Sequence, residues 1–284
     1  MSKNLEGAFW ALGTTAMFAI AIAMSKMAVQ DFHVLQILFI RQAVIFCSVL
    51  PSIVRHFPNN LKTRHPFPHL LRLAGAFSTL CISLWAVSIM PLTTVVVLMF
   101  STTFFVSILA VLFLDEKIGR YRIASILVGF IGVVVVVRPS FASISEATSL
   151  IVLFAAFGAA IAVICVRKLS QIDSTVTLLS YQAIFVGVLA GIPMFWLWTT
   201  PSMSDFAFLI GIGAVSTVAQ WTGIHALRLG EASLVSSLRY TEIIYATILG
   251  YWLFAELPDM YTLIGAALII GSALFMILRE RVKA

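Results

Sequence analysis

Ten apolar runs parted by short polar breaks leave this chain few folds to choose from. They read as Gly7–Met24, Val34–Val54, Leu70–Ile89, Thr93–Leu114, Tyr121–Val137, Ala147–Val166, Val176–Trp198, Phe206–Leu227, Ser233–Phe254 and Met260–Leu278. Each is close to the roughly 20 residues a helix needs to cross a bilayer. Backbone groups in lipid must be satisfied internally, so runs of this length cross as helices. The expected fold is an all-α integral membrane protein with ten transmembrane helices. Composition points the same way: 11% of the 284 residues are charged and 61% hydrophobic, with a mean hydropathy of +1.06. Soluble domains carry about 25% charged residues. The connections are short, and the longest, between Arg55 and Arg72, holds Pro58, Pro66 and Pro68. No stretch is long enough for a soluble catalytic domain.

The formal charge of +6 does not mark a nucleic-acid binder, because the basic residues sit between apolar runs. They act as topology signals. With the N-terminus in the cytoplasm, 14 of the 18 Lys and Arg residues fall on the inner side, Arg72 among them. The outer side receives Lys26 and Arg138, while Arg41 and Arg239 fall within spans. The expected location is the bacterial inner membrane, multi-pass, with both termini cytoplasmic and lipid as the surrounding partner. Ala21-Ile22-Ala23 resembles a signal-peptidase site, but cleavage there would leave an odd span out, so the first run is expected to stay. Cys47, Cys81 and Cys165 lie inside apolar runs, which argues against a disulfide framework or a metal site. A homodimer is compatible with these features and not required by them.

The chain also repeats itself. Shifted by 140 positions, residues 86–137 overlie the second half without a gap, placing Phe100 over Tyr240, Ser101 over Thr241 and Glu116 over Glu256. Earlier in each half the offset is 142, with Lys26 over Lys168 and Asp31 over Asp173, and it returns to 140 at Gln42 over Gln182. The expected units are residues 1–140 and 141–284, each of five helices. Five is odd, so the second unit must insert upside down relative to the first. Inverted repeats of this kind let one site at their interface face either side in turn, a recurring transporter plan.

Two stretches, VSILAVLFLDEKIGRYRIASILVGFIGVVVVVRP and ATILGYWLFAELPDMYTLIGAALIIGSALFM, resemble the EamA family of the drug/metabolite transporter superfamily. The shared pattern is an apolar helix ending in Gly-Glu or similar, a short turn, then a Gly-containing helix. Glu116 and Glu256 match the family Glu, and Arg138-Pro139 matches its usual close. The resemblance extends over nearly the whole chain and implies a carrier of small metabolites. Thr103 and Ile243 stand where many members have proline, so the helix break that proline imposes is not written into this sequence. The run RYTEIIYATILGYWLFAELPD looks like members associated with riboflavin or S-adenosylmethionine-type cofactors.

Ionisable groups in lipid are costly, about 2.5–3.5 kcal/mol at a helix centre, and should face a cavity or a partner. Arg41, Arg239 and Glu242 meet that description, and the last two, three apart, can pair on one helix face. The candidate substrate-binding set adds Trp85, Tyr181, Gln182, Gln220, Trp221, Tyr240 and Tyr245, since rings and amides suit a planar polar metabolite. Riboflavin heads the substrate expectations, with an amino-acid or drug/metabolite exporter as the alternative. Glu116 and Glu256 are expected to cap or pair at helix boundaries, His225 to be structural, and Gly187 with Gly191 to mark close helix packing. His56, His65 and His69 lie in a basic loop without acids, a poor metal site. An intramembrane enzyme on lipid substrates is the rival of another class. It would need convergent Asp, Glu, His or Cys groups, and no His/Asp pair or phosphate-binding glycine loop is visible. No cofactor is expected, and the partner is a small-molecule substrate.

Overall fold

A computed structural model describes residues 3–55, 57, 63, 65–114, 120–137, 144–231, 234, 235, 238, 239 and 241–281. The described residues form helices and turns and no strand. In chain order the helices are α1 Lys3–Ala28, α2 Val34–Arg55, α3 Pro66–Ile89, α4 Leu92–Met99, α5 Ser101–Leu114 and α6 Arg120–Val137. They continue as α7 Ile144–Leu169, α8 Thr175–Gly191, α9 Met194–Leu197, α10 Met203–Leu229, α11 Thr241–Phe254 and α12 Met260–Arg281. Six stretches are long and apolar enough to cross a bilayer: Glu6–Ala28, Val34–Arg55, Pro66–Ile89, Leu92–Leu114, Ala147–Leu169 and Met203–Leu229. Shorter apolar helices cover Ile123–Gly132, Thr175–Gly191, Thr241–Phe254 and Met260–Ser272. Large apolar side chains such as Phe9, Val54, Leu112, Phe154 and Ile248 stand outward on many of these helices. Apolar surface on that scale needs lipid as its solvent. This is an integral membrane protein.

The helices pack as α1 on α10, α3 on α7, α2 on α8, and α6 on α12. Exchanging the two halves turns the first pair into the second and returns the other two to themselves. The packing of α5 on α7 is likewise matched by α11 on α1. Glycines set the closest crossings. A Cβ on Gly75 of α3 would come within 2.4 Å of the Gly158 carbonyl of α7, so these backbones meet only because neither position has a side chain. In α8, a Cβ on Gly191 would meet the Phe39 ring of α2 at 2.9 Å, and one on Gly187 would meet the Cβ of Gln42 at 3.4 Å. The Gly187/Gly191 pair therefore packs helices, as its spacing suggests.

Several expected spans begin or break elsewhere. The fourth is divided at Phe100, whose N–H is shared between the Val96 and Val97 carbonyls at 3.2 and 3.1 Å, while Thr103 N–H reaches Phe100 O at 2.9 Å. These three-residue bonds tighten the turn without proline. In the ninth, Leu234, Val235 and Leu238 are already helical, Arg239 lies in a turn, α11 opens at Thr241, and Glu242 N–H reaches Arg239 O at 2.9 Å. The helices that follow open at matching positions of the repeat, Ser101 and Thr241, although Thr103 and Ile243 replace proline. The seventh run stops at Gly191, because Pro193 cannot continue the hydrogen-bond ladder and opens the short α9 instead. The side chain of Gln36 then clamps Thr199, donating to its carbonyl at 2.6 Å and accepting from its N–H at 3.0 Å.

The third helix begins at Pro66, four residues ahead of the expected Leu70. Pro at the first helical positions is pre-organised for a helix start. This corrects two assignments. Arg72 is not a loop charge but a buried member of α3, and His69 is a buried helix residue rather than part of a loop cluster.

Candidate functional site

A cavity of about 260 Å³ lies between the halves, with walls from α1, α2, α3, α4, α5, α7, α8, α10 and α11. Its charged and amide lining is Arg41, Arg72, Gln182, Gln220, Arg239 and Glu242. Arg41 stands seven residues into α2, about 10 Å from the end where α1 finishes. Arg72 enters from the opposite end, six residues into α3, about 9 Å deep. The two guanidiniums therefore approach the middle from opposite faces.

Their surroundings differ. Arg41 is 8% exposed, its Nε has no partner, and it makes no hydrogen bond or ion pair among the described residues. Arg72 is 1% exposed and held by two bonds, Nη1 to Leu178 O at 3.0 Å and Nη2 to Gln182 Oε1 at 2.8 Å. Gln182 Nε2 passes the chain on to Gln220 Oε1 at 2.8 Å. Glu242 sits in the first turn of α11, where the helix N-terminus favours an anion. Its Oε2 meets Arg239 Nη2 at a long 3.5 Å, and the Arg239 guanidinium lies 5.8 Å from the centre of the Phe18 ring. Three guanidiniums thus face one carboxylate, and two of them, Arg41 and Arg72, are buried. A surplus of buried positive charge is expensive, and it suits a site completed by an acceptor-rich ligand.

Five of the residues singled out in the sequence meet here: Arg41, Gln182, Gln220, Arg239 and Glu242. The aromatic ones do not. Trp85 and Trp221 are 38% and 36% exposed and lie outside the lining. Tyr181 packs on the His69 ring at 4.7 Å between centroids, and half-buried Tyr245 is also outside the lining. Tyr240 falls outside the described residues. Phe18 and Phe100 are the aromatic members of the lining. Stacking thus has less to offer a ligand than the run of Trp and Tyr suggested, because apolar periodicity does not tell which face of a span looks inward. Arg72 was missed, and the signal that would have found it is Pro66 read as a helix start. His225 meets the Trp10 ring edge-on at 5.2 Å, a packing contact.

Each end of the cavity is tied across the halves. Where α1 finishes, Lys26 pairs with Glu256 and donates to Met90 O at 3.1 Å, while the other Glu256 oxygen accepts Leu92 N–H at 2.9 Å. Glu256 is thereby both an ion-pair partner and the cap of α4. It is presented by Ala255, which takes a left-handed conformation (φ 52°) at the end of α11. Its repeat counterpart Glu116 falls outside the described residues. At the opposite end Asp173 gathers His69 Nε2 at 2.8 Å, Thr63 Oγ1 at 2.9 Å and, on its carbonyl, Arg228 Nη2 at 3.1 Å. A His/Asp pair therefore does form, between residues 104 apart whose contact the sequence does not show.

A helical membrane protein with a polar cavity between two similar halves has the build of a small-molecule carrier. The chain matches the EamA-like transporter family over residues 5–138 and again over 147–278, and it belongs to that family. It is 32% identical to an S-adenosylmethionine uptake transporter of Rickettsia felis, over 99% of this chain and 95% of the relative. It is 28% identical to a riboflavin transporter of Vibrio cholerae, again over 99% and 95%. A pseudopaline exporter of Pseudomonas aeruginosa is 27% identical over 93% of each chain. One solved crystal structure shares the fold with a TM-score of 0.74, at 15% identity and 98% coverage of both chains.

Proposed function

We propose that the chain is a secondary transporter of the bacterial inner membrane whose substrate carries both an anionic and a cationic group, with S-adenosylmethionine ahead of riboflavin. The observation that carries this reading is Arg41, a buried guanidinium in the cavity wall with no partner of its own. A carboxylate on the substrate satisfies it with a charge-assisted bond. The amino or sulfonium group of an amphoteric substrate meets Glu242, whose 3.5 Å contact to Arg239 leaves it available. A neutral planar ring would depend on stacking, and the lining offers Phe18 and Phe100 for that purpose. This reverses the order expected from the sequence, and it agrees with the names of the relatives at 32% and 28% identity.

In this proposal residues 1–140 and 141–284 form two inverted five-helix units, ten spans in all, with both termini cytoplasmic. The helix pairing that survives exchange of the halves supports it. Alternating access then follows from rocking one unit against the other, with no chemical step for an enzyme to catalyse. The test is uptake of labelled S-adenosylmethionine by proteoliposomes holding the full chain. Saturable uptake, blocked by excess unlabelled compound and weakly by riboflavin, is expected. Riboflavin uptake without S-adenosylmethionine uptake would return the planar vitamin to first place.

A further inference from the structure

Hydrogen-bond polarity runs in one direction along Arg72, Gln182 and Gln220. A guanidinium only donates, so the Gln182 atom that meets Arg72 Nη2 at 2.8 Å is the carbonyl oxygen. The Gln182 nitrogen is thereby turned towards Gln220 and donates to its Oε1 at 2.8 Å. The series ends on the Gln220 NH2, which has no acceptor among the described residues and belongs to a side chain in the cavity wall. Arg72 cannot readily swing away, since it is 1% exposed and its other arm is fixed on Leu178 O at 3.0 Å. With an apolar residue at position 72, either amide would be free to turn over, and Gln220 would present oxygen as readily as nitrogen.

We propose that Arg72 is a positioning residue that sets the selectivity of the cavity: acting through Gln182, it holds Gln220 as a donor, so that Gln220 and the unpaired Arg41 together select ligands by their carboxylate or carbonyl oxygens. The proposal rests on the reading of this cavity as the substrate site. It goes beyond that reading by assigning a role to a residue the substrate need not touch. Arg41 supports it independently, being buried, unpartnered and in the same wall. Among the cavity's charged and amide groups only Glu242 is purely an acceptor.

The test compares two probes of equal length, glutarate and pentane-1,5-diamine, by their thermal stabilisation of the purified full-length chain. The wild type is stabilised by the dicarboxylate in preference to the diamine. Arg72→Met and Gln182→Leu each reduce that preference by about tenfold, and the double variant reduces it no further, as expected for residues acting in series. Arg72→Lys, also a pure donor, retains most of it. Gln220→Glu keeps the oxygen that meets Gln182 but ends the series on an acceptor, and it shifts preference towards the diamine. Should Arg72→Met fail to fold, Gln182→Leu decides, since it cuts the series between Arg72 and Gln220 while leaving the charge of the cavity unchanged. An Arg72→Met protein that melts lower but keeps the full preference would overturn the proposal, as would additive effects or a wild type that favours the diamine. The predicted selectivity in a chain that does not take up S-adenosylmethionine would support this proposal while removing the substrate reading.

Discussion

Helices α2 and α8 occupy the same place in the two halves, pack on each other, and carry aligned glutamines in opposite states. The 140-residue shift lays Arg41-Gln42 over Tyr181-Gln182. In α8, Gln182 faces the cavity with both ends of its amide bonded, and Tyr181 turns away onto His69. In α2, Arg41 faces the cavity, while Gln42 is fully buried outside its lining with neither amide atom hydrogen-bonded. One residue of displacement on a helix is about 100° of rotation, so the halves present adjacent positions to the same space. The repeat has preserved the pairing of helices, α1 on α10 matching α7 on α3 and α2 on α8 matching itself. It has not preserved the chemistry. A site at the interface of two similar units needs different groups from each if it is to grip an asymmetric molecule.

The largest effect expected from breaking this contrast is at Arg41. Arg41→Ala removes a charge-assisted contact to substrate worth about 1.5–3 kcal/mol, or roughly ten- to a hundredfold in uptake. It also removes an unpaired buried charge, so the melting temperature of the ligand-free protein should hold or rise. Uptake and melting are measured on the same preparation. Normal uptake with a lowered melting temperature would assign Arg41 to packing instead.

Gln182→Leu should act in the opposite sense on stability. It strands Arg72 Nη2 and Gln220 Oε1, each in contact with Gln182 at 2.8 Å, without a partner. A stranded buried group costs about 1–3 kcal/mol. The melting temperature of the ligand-free protein should fall, and an unchanged value would mean that the relay is rebuilt around the leucine.

The sequence made the scaffold and part of this contrast legible. Apolar run length marked the spans, and the repeat aligned Gln42 with Gln182. The cost of charge in lipid singled out Arg41, Arg239 and Glu242, and the structure places all three in the cavity wall. What it hid has physical reasons. Spans that are apolar on every side carry little periodicity, so nothing marked Trp85, Trp221 and Tyr245 as lying outside the lining while Gln182 and Gln220 lie within it. The breaks at Phe100 and near Arg239 arise from local tightening of hydrogen bonds rather than from proline, which leaves no residue signature. Arg72 was masked by the proline-rich connection before it, because a proline that opens a helix and one that sits in a loop look alike in sequence.

The smallest effect, and the sharpest on the comparison, belongs to Gln42→Met. The substitution keeps an unbranched side chain of similar volume, so the 3.4 Å approach of Gly187 to the Cβ is undisturbed. It replaces two buried, unbonded amide atoms by apolar ones. Leaving such groups unpaired costs about 1–3 kcal/mol each, and part of that is returned, so the melting temperature should rise modestly. Uptake should be unchanged, since Gln42 does not line the cavity. Stability and transport would then part company between two aligned glutamines: replacing one stabilises without effect on uptake, while replacing the other destabilises. A Gln42→Met protein that loses uptake would show that this amide finds its partner in another stage of the transport cycle. The two glutamines would then exchange roles as the cavity turns from one side of the membrane to the other, and the asymmetry between α2 and α8 would belong to a single conformation.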